Sequence, residues 1–215
     1  MNKLFYSTII LSTLLFSCSS NTDKGEMKEV SNAVADGQAG SITITAEDGL
    51  EITADYYPNS KATTLIILCH QAGYSRGEYS KIAPRLVDSG FACLAIDQRS
   101  GKLANEVFNE TAKRAEAEGM STKYIDAKAD IIAAVDYIKA NTDKKIILWG
   151  SSYSASLALM VGAENVNVEK IVAFSPGEYL DNQDRVGSSI TSLGKPVFIT
   201  GGSEEYDMIV KPLES

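Results

Sequence analysis

Residues 144–160 read Lys-Lys-Ile-Ile-Leu-Trp-Gly-Ser-Ser-Tyr-Ser-Ala-Ser-Leu-Ala-Leu-Met, and no other stretch narrows the possible folds so far. Ile146, Ile147, Leu148 and Trp149 form the β-branched and aromatic run of a short strand. Gly150 ends that run, and an Ala/Leu-rich helical pattern begins at once. The chain must therefore turn a tight strand-to-helix corner, with Ser152 at its tip. A hydroxyl on such a corner stands above the edge of the sheet, and the new helix aims its N-terminus at whatever the hydroxyl attacks. The spacing is Gly-x-Ser-x-Ser, with Ser154 where a second glycine is usual and only a small residue fits.

Strands and helices alternate on both sides of that corner. Residues 41–46 and 50–57 each alternate apolar and polar side chains around Asp48-Gly49, which predicts a hairpin. Residues 63–69 and 91–96 are continuous apolar runs, as strands buried on both faces show. Between them Tyr79, Ile82, Leu86 and Val87 have helical spacing, with Pro84 expected in the first turn. Ser121 or Thr122 is expected to cap a further helix. Its apolar face carries Tyr124, Ile131, Val135 and Ile138, and Asp126, Lys128, Asp130, Asp136 and Lys139 are expected to turn outward. Two more strands follow at 168–174 and 197–200. The polar stretch 100–120 is expected to contribute to a cap. Together these predict an α/β fold, a mostly parallel sheet flanked by helices with an N-terminal antiparallel hairpin.

The chain has 215 residues, enough for one domain with a substantial core. A net charge of −8 without any basic run argues against nucleic acid or anionic lipid as a partner. One histidine and three cysteines are too few for a zinc or iron–sulfur site. Cys69 and Cys93 fall inside apolar runs and read as small buried hydrophobes.

The first eighteen residues stand apart from the fold. Lys3 gives a positive start, and the apolar stretch 4–16 is too short to span a bilayer, which predicts a signal peptide. Leu15-Phe16-Ser17-Cys18 closes it and resembles the lipobox of bacterial lipoproteins. The resemblance implies a lipid on Cys18 and a membrane-anchored protein of the cell envelope, with Ser19 compatible with the outer membrane. Residues 19–40 are polar and aperiodic, as a flexible tether would be, and 41–215 make up the domain.

Two further segments bear on the corner at Ser152. His70-Gln71-Ala72-Gly73-Tyr74-Ser75-Arg76-Gly77-Glu78-Tyr79 directly follows a buried strand, and Pro196-Val197-Phe198-Ile199-Thr200-Gly201-Gly202-Ser203-Glu204-Glu205-Tyr206-Asp207 runs from the last strand into an acidic turn. With the serine corner, over about 41–207, they resemble the α/β-hydrolase superfamily in its dienelactone-hydrolase-like and esterase branches. The resemblance implies Ser152 as nucleophile, with the backbone N–H groups of Ala72 and Tyr153 as an oxyanion hole. Gln71 stands where the first glycine of a His-Gly-x-Gly loop is usual. By the same analogy His70 orders that loop, its alternative role being the base. Glu205 falls where the catalytic acid is expected, with Asp207 and Glu178 as alternatives and a solvated acidic turn as the plain reading. The implied reaction is acyl-enzyme hydrolysis of a small-molecule carboxylic ester, thioester or lactone, without a cofactor.

In that superfamily the order is serine, acid, histidine. Residues 206–215 contain no histidine. Two expectations compete: the sequence lacks the end of a longer protein, with the last strand, the last helix and the catalytic histidine, or the frame stops and the product is inactive. Either way this chain is expected to hydrolyse its substrate poorly. A non-catalytic surface lipoprotein acting as a binding module is the alternative function, and peptidase chemistry stays open within the enzyme class.

Overall fold

A computed structural model of the chain describes residues 34, 37–180, 186–190 and 193–205. Cys18, the expected signal peptide and Asp207 lie outside the described residues. Strands β1 (Gly40–Thr45) and β2 (Glu51–Tyr57) pair antiparallel across the Asp48-Gly49 turn, as the alternation predicts. β3 (Thr64–Cys69), β4 (Ala92–Ile96), β7 (Lys145–Ser151), β8 (Val168–Phe174) and β9 (Val197–Thr200) complete a seven-stranded sheet in the order β1-β2-β4-β3-β7-β8-β9. Only the β1–β2 and β2–β4 pairs are antiparallel. Val34, within the stretch expected to be a tether, is buried in the core.

The continuous apolar runs are explained by cover on both faces. Leu65, Ile67 and Cys69 of β3 join the main core, whereas Ile66 and Leu68 pack on the other face with Tyr79 and Ala83. Helix α1 (Ala83–Asp88) lies on that second face, with Pro84 in its first turn where the missing N–H costs nothing. Helix α3 (Ala127–Asn141) and helix α4 (Tyr153–Glu164) cover the first face. Every residue of α4 from Tyr153 to Gly162 is buried, which accounts for its all-round apolar sequence. Among the described residues, no helix is long and apolar enough to cross a membrane.

The structure departs from the sequence reading in two places. The polar stretch after β4 holds a small hairpin, β5 (Leu103–Ala104) with β6 (Val107–Phe108), and helix α2 (Glu110–Ala117). The hairpin packs against the 3-10 turn Arg76–Tyr79 and α2 packs against β2, where the Thr53 N–H donates to Thr111 Oγ1 at 2.9 Å. The segment thus supports the 70–79 loop from the side. Helix α3 begins later than expected, at Ala127, with Asp126 at its N-cap and two turns before it (Asp126 N to Lys123 O 3.2 Å, Ala127 N to Tyr124 O 3.2 Å). Ser121 and Thr122 are therefore not its cap. Asp130, expected to point outward, is fully buried. It receives Arg99, whose guanidinium also bonds Asp48 in the hairpin turn, at 2.7 and 2.6 Å respectively. Paired in this way, a carboxylate can occupy a buried face.

Candidate active site

Gly150 is where the corner becomes possible. A Cβ at that position would lie 2.3 Å from Ser154 O and 2.5 Å from Ala155 Cα, so only glycine lets α4 start so close to β7. Ser152 then adopts φ 57° and ψ −126°, a region that costs a non-glycine residue about 1–3 kcal/mol. Its N–H donates to Phe174 O at 2.8 Å and its carbonyl accepts Ala155 N at 2.9 Å. Its side chain makes no capping bond, and Oγ has no hydrogen-bond partner among the described residues. The corner is fixed by its backbone, leaving the hydroxyl uncommitted.

Ser154, where a second glycine is usual, is more than tolerated. Its buried Oγ accepts the Ser151 N–H at 2.9 Å and lies 2.8 Å from Cys69 O and 2.9 Å from Ser151 O, to which its hydroxyl donates. That single side chain ties the end of β3 to the corner. Because Cys69 pairs with Gly150, the loop after β3 leaves the sheet directly beside Ser152.

Gln71 is tied into this loop through its backbone. The Gln71 N–H donates to Glu78 Oε2 at 2.9 Å, and Gln71 O accepts Tyr74 N at 3.2 Å. Gly73, at φ 75°, closes the turn. Burial pushes the Glu78 carboxyl up, against the pull of that Gln71 N–H. The Ala72 N–H has no partner among the described residues. Neither does the Tyr153 N–H, which as the first residue of α4 lacks an intrahelical acceptor. Two amides without a partner among the described residues thus stand on the loop after β3 and at the first residue of α4.

His70 is fully buried and both ring nitrogens are engaged. Nδ1 lies 2.9 Å from Gln71 O and so carries the proton; Nε2 accepts the Gln98 N–H at 3.0 Å and Asn109 Nδ2 at 3.1 Å. Burial lowers its pKa to about 4, with the Gln71 and Gln98 hydrogen bonds opposing. The imidazole is neutral at physiological pH and holds the loop in place. Asn109, which the sequence reading missed, also accepts Ala112 N at 2.7 Å as the N-cap of α2 and donates to Gln98 O at 2.8 Å. Its signal was present: an asparagine directly before a helical Glu-Thr-Ala run. For Glu78 no sequence signal exists.

Of the acid candidates, Glu205 sits on a 3-10 turn, Ser203–Glu205, after β9. The Ser175 hydroxyl and the Gly202 N–H, the latter 2.8 Å from Oε2, hold its carboxyl below the usual glutamate value. Ser175 follows Phe174, whose carbonyl binds the Ser152 N–H, so Glu205 and the serine corner converge on the end of β8. Glu178 is otherwise occupied, accepting the N–H groups of Val186 and Gly187 at 2.9 and 3.0 Å. Among the described residues no cluster of histidine, cysteine, aspartate and glutamate is fit to hold a metal.

The fold is shared with proteins of known structure. An esterase of Pyrococcus furiosus superposes with a TM-score of 0.60 at 20% identity, over 83% of this chain and 79% of that one. A dienelactone hydrolase from Anabaena variabilis gives 0.63 at 20% identity, over 82% and 80%. An esterase domain from a Rhodothermus marinus protein gives 0.57 at 14%, over 81% and 83%. These likenesses establish an α/β-hydrolase architecture. A search of curated proteins found no match. The profile of the family described as serine aminopeptidase, S33 matches residues 60–201, a span that includes the 70–79 loop, the Ser152 corner and β9. With two thirds of its length matched and the architecture to go with it, the chain belongs to the serine aminopeptidase S33 family of α/β-hydrolases.

Proposed function

We propose that the protein is a serine hydrolase acting on a small carboxylic ester, thioester or lactone. The observation that carries this reading is Ser152 itself: a non-glycine residue at φ 57°, ψ −126° on a strand-to-helix corner, with a hydroxyl that has no partner among the described residues. Strain of that kind persists where the surroundings impose it, and it is concentrated at functional sites. In the proposed reaction Oγ attacks the substrate carbonyl carbon and its proton passes to a base. The carbonyl oxygen becomes an oxyanion held by the Ala72 and Tyr153 N–H groups. Collapse breaks the bond to the leaving alkoxide or thiolate, which takes up the proton, and water then hydrolyses the acyl-serine. Glu205 is the proposed acid that orients the base.

The sequence holds one histidine, and His70 is committed to its loop. This chain therefore offers Ser152 no imidazole of its own, and we propose that its hydrolysis is slow. A triad enzyme deprived of a member retains about 10³–10⁴-fold acceleration over water from its oxyanion hole and binding. Added imidazole tests this. Hydrolysis of p-nitrophenyl acetate, corrected for the reaction of imidazole alone, should rise with imidazole concentration in the native protein and not in Ser152→Ala. Equal rates in the two proteins would refute the reading.

The committed His70 also favours a second reading, a binding module that keeps the fold without the chemistry. The family description names an aminopeptidase, so alanine p-nitroanilide belongs beside the ester in the same assay; we expect the ester to be preferred. We further propose that Cys18 anchors the protein to a bacterial envelope membrane, supported by the Leu-Phe-Ser-Cys sequence before it. Radiolabelled palmitate should enter the native protein in bacterial cells and be lost in Cys18→Ser.

A further inference from the structure

Beside the corner lies a pocket of about 310 Å³ lined by Thr122, Lys123, Tyr124, Ile125 and Tyr179. Its two aromatic walls reach the serine corner by different routes, Tyr124 through Tyr153 and Tyr179 through the end of β8. The Tyr124 ring stacks on that of Tyr153 (centroids 4.4 Å apart, planes at 23°), and Tyr153 follows Ser152 in the chain. Tyr179 donates its hydroxyl to Ser175 O at 3.3 Å, next to the residue that receives the Ser152 N–H. Both rings are held but not covered, 39% and 40% exposed. Tyr124 rests on the buried Tyr153 ring. Tyr179 folds over Gly177, where a Cβ would lie 2.9 Å from Cζ. Gly177 is pinned in turn by Ser156 Oγ, which lies 3.0 Å from its N–H and 2.7 Å from its carbonyl.

Two exposed tyrosine faces fixed in advance lose little entropy on meeting a flat ligand. The volume is at the small end for ligand sites, which span about 300–1,000 Å³, and fits one ring better than a long chain. A larger groove of about 850 Å³ lies between the β1–β2 turn and α3, lined by Asp48, Arg99 and Ala129 among others, and neither Tyr124 nor Tyr179 lines it.

We propose that this pocket binds one side of the scissile bond, that Tyr124 and Tyr179 determine specificity, and that the group they accept is a single aromatic ring rather than a long alkyl chain. The proposal rests on the serine-hydrolase reading and deepens it. Two measurements on the full chain test it. In the first, Ser152 is labelled with a phenyl-bearing and an n-octyl phosphonofluoridate that share a leaving group. The aryl probe should react faster, and Tyr179→Leu or Tyr124→Leu should each cut the aryl-to-octyl ratio by about 3–10-fold, the worth of one aromatic pair. Gly177→Ala, which displaces the Tyr179 ring, should cut it in the same direction. The ratio is internal to each protein, so a partly unfolded variant does not imitate the effect. In the second, benzyl alcohol is titrated and the ring resonances of Tyr124 and Tyr179 are followed by NMR, a readout that needs no reactive serine. Shifts confined to those rings, absent with n-octanol, support the pocket. Labelling at Ser152 with a ratio insensitive to all three variants overturns the specificity proposal and leaves the hydrolase reading intact. Ring shifts without any labelling keep the aryl pocket and remove the hydrolase reading; neither labelling nor shifts removes both.

Discussion

Ser152 is held in a costly conformation by backbone bonds to Phe174 and Ala155, while its own hydroxyl makes none among the described residues. Gly150 supplies the room and Ser154 supplies the tie. Gly150→Ala should therefore destabilise the protein by about 1–3 kcal/mol, as overpacking does, and chemical denaturation is the check. Ser154→Gly restores the more usual residue and yet should also destabilise, by about 1–2 kcal/mol, because it removes a buried hydroxyl bonded to Ser151 and Cys69 and places a glycine in a helix. A neutral or stabilising result would mean that the tie between β3 and the corner carries no weight. The Gly-x-Ser-x-Ser spacing made the corner readable from the chain alone. The bonds of Ser154 were not readable, since they depend on which strand neighbours β7.

The strands were legible in the sequence because their burial follows a simple pattern, alternating in β1 and β2 and nearly uniform in β3 and β4. β3 and β4 are apolar along their length, and the Asp48-Gly49 turn sets the hairpin register. α2 and the β5–β6 hairpin were not legible. They are mostly polar and gain their stability from contacts far along the chain, with β2 and the Arg76–Tyr79 turn. Asp130 failed for the same reason, since its partner Arg99 is 31 positions away. Asp130→Ala should cost about 3–5 kcal/mol by leaving a buried guanidinium short of a carboxylate, far more than the near-zero cost of an exposed helical aspartate. Asn109→Ala should cost about 1–2 kcal/mol through the lost α2 cap. It should also remove one of the two donors at His70 Nε2, so an NMR titration of the imidazole should show a changed pKa.

The histidine of this 215-residue sequence, His70, is buried where it resists protonation. Its folded pKa, about 4, lies below the ordinary 6.5, so the unfolded chain takes up the proton first as pH falls. That contribution to stability is complete above pH 6.5 and is lost progressively towards pH 4, amounting to about 3 kcal/mol. Denaturant midpoints measured between pH 7 and pH 4 should fall, and His70→Asn should flatten the slope over that window. Both ring nitrogens of His70 are taken up by its own loop and the Gln98 N–H. The most direct test is therefore chemical: full-length protein is treated with a fluorophosphonate in the presence of imidazole and the adduct is located by peptide mass mapping. We expect one adduct at Ser152, absent in Ser152→Ala. An unmodified Ser152, or an adduct at Ser151 or Ser154 instead, would contradict the assignment of this corner as a nucleophile.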